Sequence, residues 1–81
     1  MSAESDFLTT SVKALVSEPE SILVEELLEG KNVTLTVRAV ASDMSILIGR
    51  EGRTAGALRI LCRAIAARHG RKASLIICEP S

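Results

Sequence analysis

Gly49 and Gly52 stand two residues apart in the segment Ile48-Gly49-Arg50-Glu51-Gly52-Arg53, between an apolar run and a basic amphipathic stretch. Glycines at this spacing let the backbone take positive φ and let a ligand come close to the main chain. A helix that starts directly afterwards aims unpaired N–H groups and the positive end of its dipole at the same place. The chemistry this predicts is anion holding: a phosphate gripped by the backbone N–H groups of Gly49 to Gly52, with Arg50 and Arg53 supplying charge. Glu51 works against it. Its carboxylate repels phosphate, so it is expected to face solvent, to pair with Arg53, or to weaken the grip of the loop. Glycines also serve geometry alone where two helices meet, and the turn by itself does not separate the two uses.

Bond-making chemistry finds no constellation. His69 is the single histidine and precedes Gly70 at an expected helix end, where an imidazole meets the last carbonyls. No Ser/His/Asp, Cys/His or paired-carboxylate set can be assembled around it, and no Gly-Lys-Ser/Thr follows the glycine turn as a P-loop requires. Cys62 and Cys78, the only cysteines, each sit in an apolar pattern and are expected to be reduced core residues. Neither a catalytic activity, a metal, a cofactor nor a small-molecule substrate is expected.

The elements that must position the turn follow from periodicity. Ser5 or Asp6 is expected to cap a first helix with Phe7, Leu8, Val12, Leu15 and Val16 on one face, ending near Ser17 before Pro19. Ile22 to Leu28 reads as a strand whose alternation is interrupted by Glu25 and Glu26, and Glu29-Gly30-Lys31-Asn32 as a hairpin turn. Val33, Leu35, Val37 and Ala39 alternate with Thr34, Thr36 and Arg38, the period of a strand with one buried face. Ser42 or Asp43 is expected to cap a short helix through Met44, Ile46, Leu47 and Ile48, which Gly49 stops. A third helix from Arg53 to His69 carries the apolar stripe Leu58, Leu61, Cys62 and Ile65, and Gly70 ends it. Ala73 to Cys78 is the last strand. The fold class is α+β: a hairpin, then a crossover through two helices, giving a three-stranded mixed sheet with three helices on one face.

Composition bounds the partners. With 81 residues and 47% hydrophobic content, one domain over 1–81 is expected, with residues 1–5 a loose N-terminus and 79–81 a tail. No run approaches the roughly 20 apolar residues of a membrane span, and the N-terminus lacks the order of a secretory signal, so a cytoplasmic location without a membrane partner is expected. Net charge is zero, but residues 1–48 hold three basic and eight acidic side chains, whereas 49–81 hold seven basic and two acidic. The basic half begins at the glycine turn and suits a polyanion, although arginines also solvate a helix face. Phe7 is the single aromatic residue, which argues against a reader that stacks bases on rings.

The order of elements and the turn resemble a KH domain of type II, bacterial topology (α-β-β-α-α-β), and within it the small single-KH proteins of the KhpA, or YlqC-like, type. Ser17-Glu18-Pro19, Asp43-Met44, the turn, and Arg53-Thr54-Ala55-Gly56-Ala57-Leu58-Arg59 carry the resemblance, which spans nearly the whole chain. A KH module clamps about four nucleotides of a single strand by their backbone with its Gly-x-x-Gly loop. The resemblance therefore implies single-stranded RNA binding of low sequence specificity, as a post-transcriptional regulator or RNA chaperone. Gly49, Arg50, Glu51, Gly52, Arg53 and Arg59 would meet the backbone, with Ile46, Leu47 and Ile48 forming an aliphatic wall for bases. Four phosphates held this way imply a slope of log affinity against log salt near −3, at roughly −0.7 per contact. Many relatives carry a glycine and a basic residue where this chain has Ser45 and Ile46. The same resemblance implies a homodimer or a pairing with a larger KhpB- or Jag-like KH protein in control of cell division and envelope growth, with Ile46, Ala55 and Gly56 at the interface, or a role in ribosome assembly. Gly56 lies inside a helix, where glycine costs about 1 kcal/mol against alanine. A close backbone would explain it, from the same chain or a second copy.

Overall fold

The computed structural model describes residues 1–79 and runs helix α1 (Ala3–Leu15), strand β1 (Leu23–Glu29), strand β2 (Asn32–Arg38), helix α2 (Met44–Ile48), helix α3 (Arg53–Arg68) and strand β3 (Lys72–Cys78). Pro80 and Ser81 of the expected tail lie outside the described residues. The sheet has the order β1-β2-β3, with β1 antiparallel and β3 parallel to the central β2. Alternation along β2 works as expected: Val33, Leu35 and Val37 are buried and Thr34, Thr36 and Arg38 face the wetter side. Pairing sets Val37 beside Val24 and Ile77, and Leu35 beside Glu26 and Leu75. Leu8 and Val12 of α1, Leu47 of α2, and Leu58, Cys62 and Ala66 of α3 close over that face. Each large side chain so buried stabilises the fold by about 1.5–3 kcal/mol.

Both tight connections are set by a glycine. Gly30 has φ +60° while Lys31 keeps negative φ, the pattern of a type II′ two-residue hairpin, and Glu29 pairs with Asn32 across it. Gly70, at φ +73°, ends α3 in a Schellman motif: Gly70 N–H bonds to Ala67 O at 3.0 Å and Arg71 N–H to Ala66 O at 2.8 Å. These carbonyls are satisfied by backbone, which leaves the exposed His69 no capping task there. The link to β3 is short, and the motif turns Arg71 back toward α1.

Arg71 explains why the N-terminus departs from expectation. Its Nε and Nη2 donate to Glu4 Oε2 and Oε1 at 2.8 and 2.7 Å, and the Glu4 side chain is fully buried. Residues 1–5 are thus not a loose lead: Glu4 and Ser5 are inside, and the helix starts at Ala3. Ser2 is the cap in place of Ser5 or Asp6, its Oγ accepting from Ser5 N–H at 3.1 Å. Glu26, one of the residues that interrupts the alternation of β1, accepts from Ser2 N–H at 3.1 Å and from Ser2 Oγ. A carboxylate there also suits the positive end of α1. Arg71 holds the Glu4 carboxyl well below its ordinary 4.5, at about 2.

A second buried carboxylate, Asp43, was expected to cap α2. It makes no side-chain cap, because the Ala41–Asp43 turn runs directly into α2 and leaves Asp43 with helical backbone angles. The carboxylate instead accepts from Ser17 N–H at 3.0 Å, Ser17 Oγ at 2.7 Å and Glu18 N–H at 3.1 Å. Those donors, Ser17 N–H foremost, hold its carboxyl below the usual range. They also draw the chain out of α1, which stops at Leu15 with Val16 as its cap, near Ser17 as expected. Leu15 is 45% exposed, so the buried face of α1 ends at Val12. Cys62 is buried and in no disulfide, its Sγ donates to Glu4 O at 3.9 Å, and burial pushes its thiol up to about 11, as an inert core residue requires.

Candidate nucleic-acid interface

Gly49 and Gly52 hold the loop by different means. Gly49 closes α2 with φ +77° and ψ 173°, its N–H bonded to Ser45 O at 2.9 Å. A Cβ on Gly49 would fall on Thr54 Oγ1 and lie 2.7 Å from Thr54 Cβ and 2.8 Å from Thr54 N. No side chain fits. Gly52 has left-handed angles, φ +75° and ψ 14°, but open space where a Cβ would point. Between them Glu51 is the one described non-glycine residue with positive φ, +56°, a conformation a side chain adopts at some cost.

The free donors are fewer than the sequence implies. Gly49 N–H, Gly52 N–H and Arg53 N–H are taken by Ser45 O, Gly49 O and Arg50 O, which leaves Arg50 and Glu51 N–H without a backbone acceptor. Gly52 caps α3 with no side chain, so the first turn of that helix is open to an anion. Arg50 and Arg53 are exposed beside it, and Arg59 is half-buried farther along α3. Glu51 meets the expectations of exposure and of pairing: its side chain is 73% exposed, and Oε2 lies 4.0 Å from Arg53 Nη2, a contact too open to contribute much.

Three expectations fail on burial. Leu47 is fully buried in the core and cannot wall a base groove; of the aliphatic trio, Ile46 and Ile48 are the exposed members. Ala55 is buried and leaves the expected interface set. The buried stripe of α3 is Ala55, Leu58, Cys62 and Ala66, whereas Leu61 is 48% and Ile60 66% exposed. Leu58 lies against the core among the smaller Ala55, Cys62 and Ala66, and Ile60 and Leu61 face outward. An added Cβ on Gly56 would meet open space, so no backbone among the described residues explains it. Gly56→Ala is accordingly expected to raise monomer stability by about 1 kcal/mol, read as a higher melting temperature; a fall would show a neighbour the isolated chain lacks. Thr54, which fixes Gly49, carries no sequence signal beyond being a β-branched residue just after the loop.

Comparison with known proteins matches residues 5–77 to the family model described as KhpA/KhpB, KH domain. The RNA-binding protein KhpA of Chlamydia trachomatis serovar D is 40% identical over 75 residues, 91% of this chain and 95% of that protein. That of Aquifex aeolicus is 33% identical over 79 residues, 98% of this chain and all of its own. Among solved structures, Aquifex aeolicus Era bound to GDP.AlF4- superposes with a TM-score of 0.64 at 15% identity, and Era in complex with MgGDPNP and nucleotides 1506–1542 of 16S ribosomal RNA with 0.59 at 16%. These cover 95% and 94% of this chain but 30% and 29% of the Era chains, and the likeness is one of fold.

Proposed function

The chain belongs to the KhpA/KhpB KH-domain family, and from that premise we propose that it is a non-enzymatic protein that binds single-stranded RNA with little sequence selectivity. The loop from Gly49 to Gly52 carries the reading. Two free N–H groups, at Arg50 and Glu51, project from a turn whose shape Thr54 enforces, next to an uncapped helix start and two exposed arginines. The curated relatives bear the name RNA-binding protein KhpA, which supports the same partner. Bases rest against Ile48 and Ile46; a regulator or RNA chaperone of the cytoplasm is the role that fits weak selectivity. No helix among the described residues is long and apolar enough to cross a membrane.

Replacing Arg50 and Glu51 together by Asp tests this. Affinity for a short oligouridine is expected to fall roughly tenfold or more, the size of one lost charge-assisted hydrogen bond, and the salt slope by about 0.7. Glu51→Asn should move affinity upward, since Asn tolerates left-handed angles and removes the repelling charge. Unchanged affinity in a folded double variant sinks the proposal.

A second reading is favoured by the outward-facing Ile60 and Leu61 and the open space at Gly56. It takes the domain as a protein-interaction module, pairing with itself or with a KhpB- or Jag-like protein. Loss of oligomeric mass in a Leu61→Lys variant whose RNA binding persists would support it.

A further inference from the structure

The basic half of the chain holds more cations than the loop uses. Arg50 and Arg53 flank the loop and Arg59 follows it, which leaves Arg63, Arg68, Arg71 and Lys72. Three of those four gather at the opposite end of α3. A hollow of about 430 Å³ lies there, lined by Arg63 and Ala67 of α3, Arg71 of the Schellman turn, Asn32 where β2 begins, and Lys72, Ala73 and Ser74 of β3. No carboxylate among the described residues lines it. Glu4 engages Nε and Nη2 of Arg71 but is itself fully buried, so it holds that guanidinium in place without lining the hollow.

Among the described residues, the side chains of Arg63, Lys72, Asn32 and Ser74 make no hydrogen bond or ion pair, as the partners of every recorded side-chain contact lie elsewhere. Four idle donor side chains around one concavity, two of them cationic, suit an anion with several acceptor oxygens. The carbonyl end of a helix opposes an anion, but the Ala66 and Ala67 carbonyls are already bonded to Arg71 and Gly70 N–H. Repulsion at that end is thereby reduced.

Arg53 and Arg63 are both exposed. Ten residues of helix separate them by about 15 Å along the axis and about 80° around it, so one solvent-facing side of α3 connects the loop to the hollow. We propose that the hollow bounded by Arg63, Lys72 and Arg71 is a second phosphate subsite, which takes a phosphodiester of the same RNA strand beyond the nucleotides held at the loop. The proposal rests on the RNA-binding reading and extends the footprint past four nucleotides. Asn32 and Ser74 donate to the phosphate oxygens, and the preorganised Arg71 supplies charge through its remaining nitrogen.

The test is an Arg63→Ala, Lys72→Ala double variant. Both side chains are exposed and unpaired, so the fold is preserved, which thermal melting verifies; Arg71 is left untouched because it holds Glu4. Affinities of native and variant protein for tetrauridylate and dodecauridylate are measured at several salt concentrations. The variant is expected to bind the dodecamer roughly tenfold more weakly, with a salt slope shallower by about 1.4 for two lost contacts, and the tetramer within twofold of native. Equal losses at both lengths, or no loss with the dodecamer, overturn the subsite. Titration with inorganic phosphate and uridine monophosphate, followed by amide shifts at Lys72 and Ser74, is expected to need far higher concentrations than the dodecamer; saturation at equal or lower concentrations would assign the hollow to a small free anion and overturn the strand reading. The Arg50→Asp, Glu51→Asp variant separates the two claims: if it alone leaves both lengths unaffected, the loop assignment fails while the hollow is judged by its own variant.

Discussion

Gly49→Ala is expected to lose RNA affinity by tenfold or more while Gly52→Ala retains most of it, although both glycines have nearly equal positive φ. Gly52 has left-handed helical angles, which cost a non-glycine residue about 1–2 kcal/mol, whereas Gly49, at φ +77° and ψ 173°, lies in a region essentially reserved for glycine. At Gly52 that is the whole effect, because open space surrounds the added methyl. At Gly49 the methyl also overlaps Thr54 Oγ1, Cβ and N. Backbone atoms cannot yield as a flexible side chain does, so either Gly49 or the first turn of α3 must shift, and the free N–H groups of Arg50 and Glu51 shift with it. Thr54→Ala added to Gly49→Ala is not expected to restore binding: it removes Oγ1 but leaves the clashes with Cβ at 2.7 Å and N at 2.8 Å. Fluorescence anisotropy with a short oligouridine, alongside melting curves for the three variants, measures this. Equal affinity of the two single alanine variants would show that the loop does not depend on Thr54 for its shape.

The two glycines illustrate which parts of the site are legible in the chain. Their spacing, the arginines beside them and the helix that follows are local, and they lead from residues to loop to anion chemistry without a tertiary contact. The alternation of β2 is equally local, and the sheet order follows from it and the hairpin. What is not legible is set by partners far away in sequence. Nothing near Glu4 announces Arg71, 67 positions on, and nothing near Asp43 announces Ser17, 26 positions back. Each of these carboxylates defeats a local expectation, because a buried acid collects its donors wherever the fold delivers them. Leu47 fails for another reason. On a five-residue helix three consecutive aliphatics show no period, so Ile46, Leu47 and Ile48 look alike until the sheet beneath them selects one. Leu61 and Ile60 fall between these cases: Leu58 and Cys62 of the stripe on α3 are legible, but Ala55 and Ala66 complete its buried line where the helix meets the core, and Leu61 lies off it.

The pairing of Glu4 with Arg71 should have the largest effect on stability of any contact in the molecule. Arg71→Met keeps the length of the side chain and removes both hydrogen bonds, leaving the Glu4 carboxylate buried without a partner. Removing one member of a buried pair costs about 3–5 kcal/mol, a large part of the roughly 5–15 kcal/mol that holds a domain folded. The sign with pH distinguishes this from lost packing. In the native protein the Glu4 carboxyl is lowered from 4.5 to about 2, so its contribution is present in full above the unfolded value and is lost as pH falls from about 4.5 toward 2. That shift corresponds to about 3 kcal/mol. In Arg71→Met, burial without the guanidinium raises the same carboxyl above its unfolded value, and acid then relieves the penalty. The gap in melting temperature between native and variant is therefore expected to be widest near pH 7 and to narrow steadily toward pH 3. Adding Glu4→Leu to Arg71→Met removes the stranded charge and should recover much of the loss at pH 7, making the pair strongly non-additive. A gap that stays constant from pH 7 to pH 3, or a double variant no more stable than Arg71→Met alone, would mean that Arg71 contributes by packing and that the pair does not anchor α1 to the turn before β3.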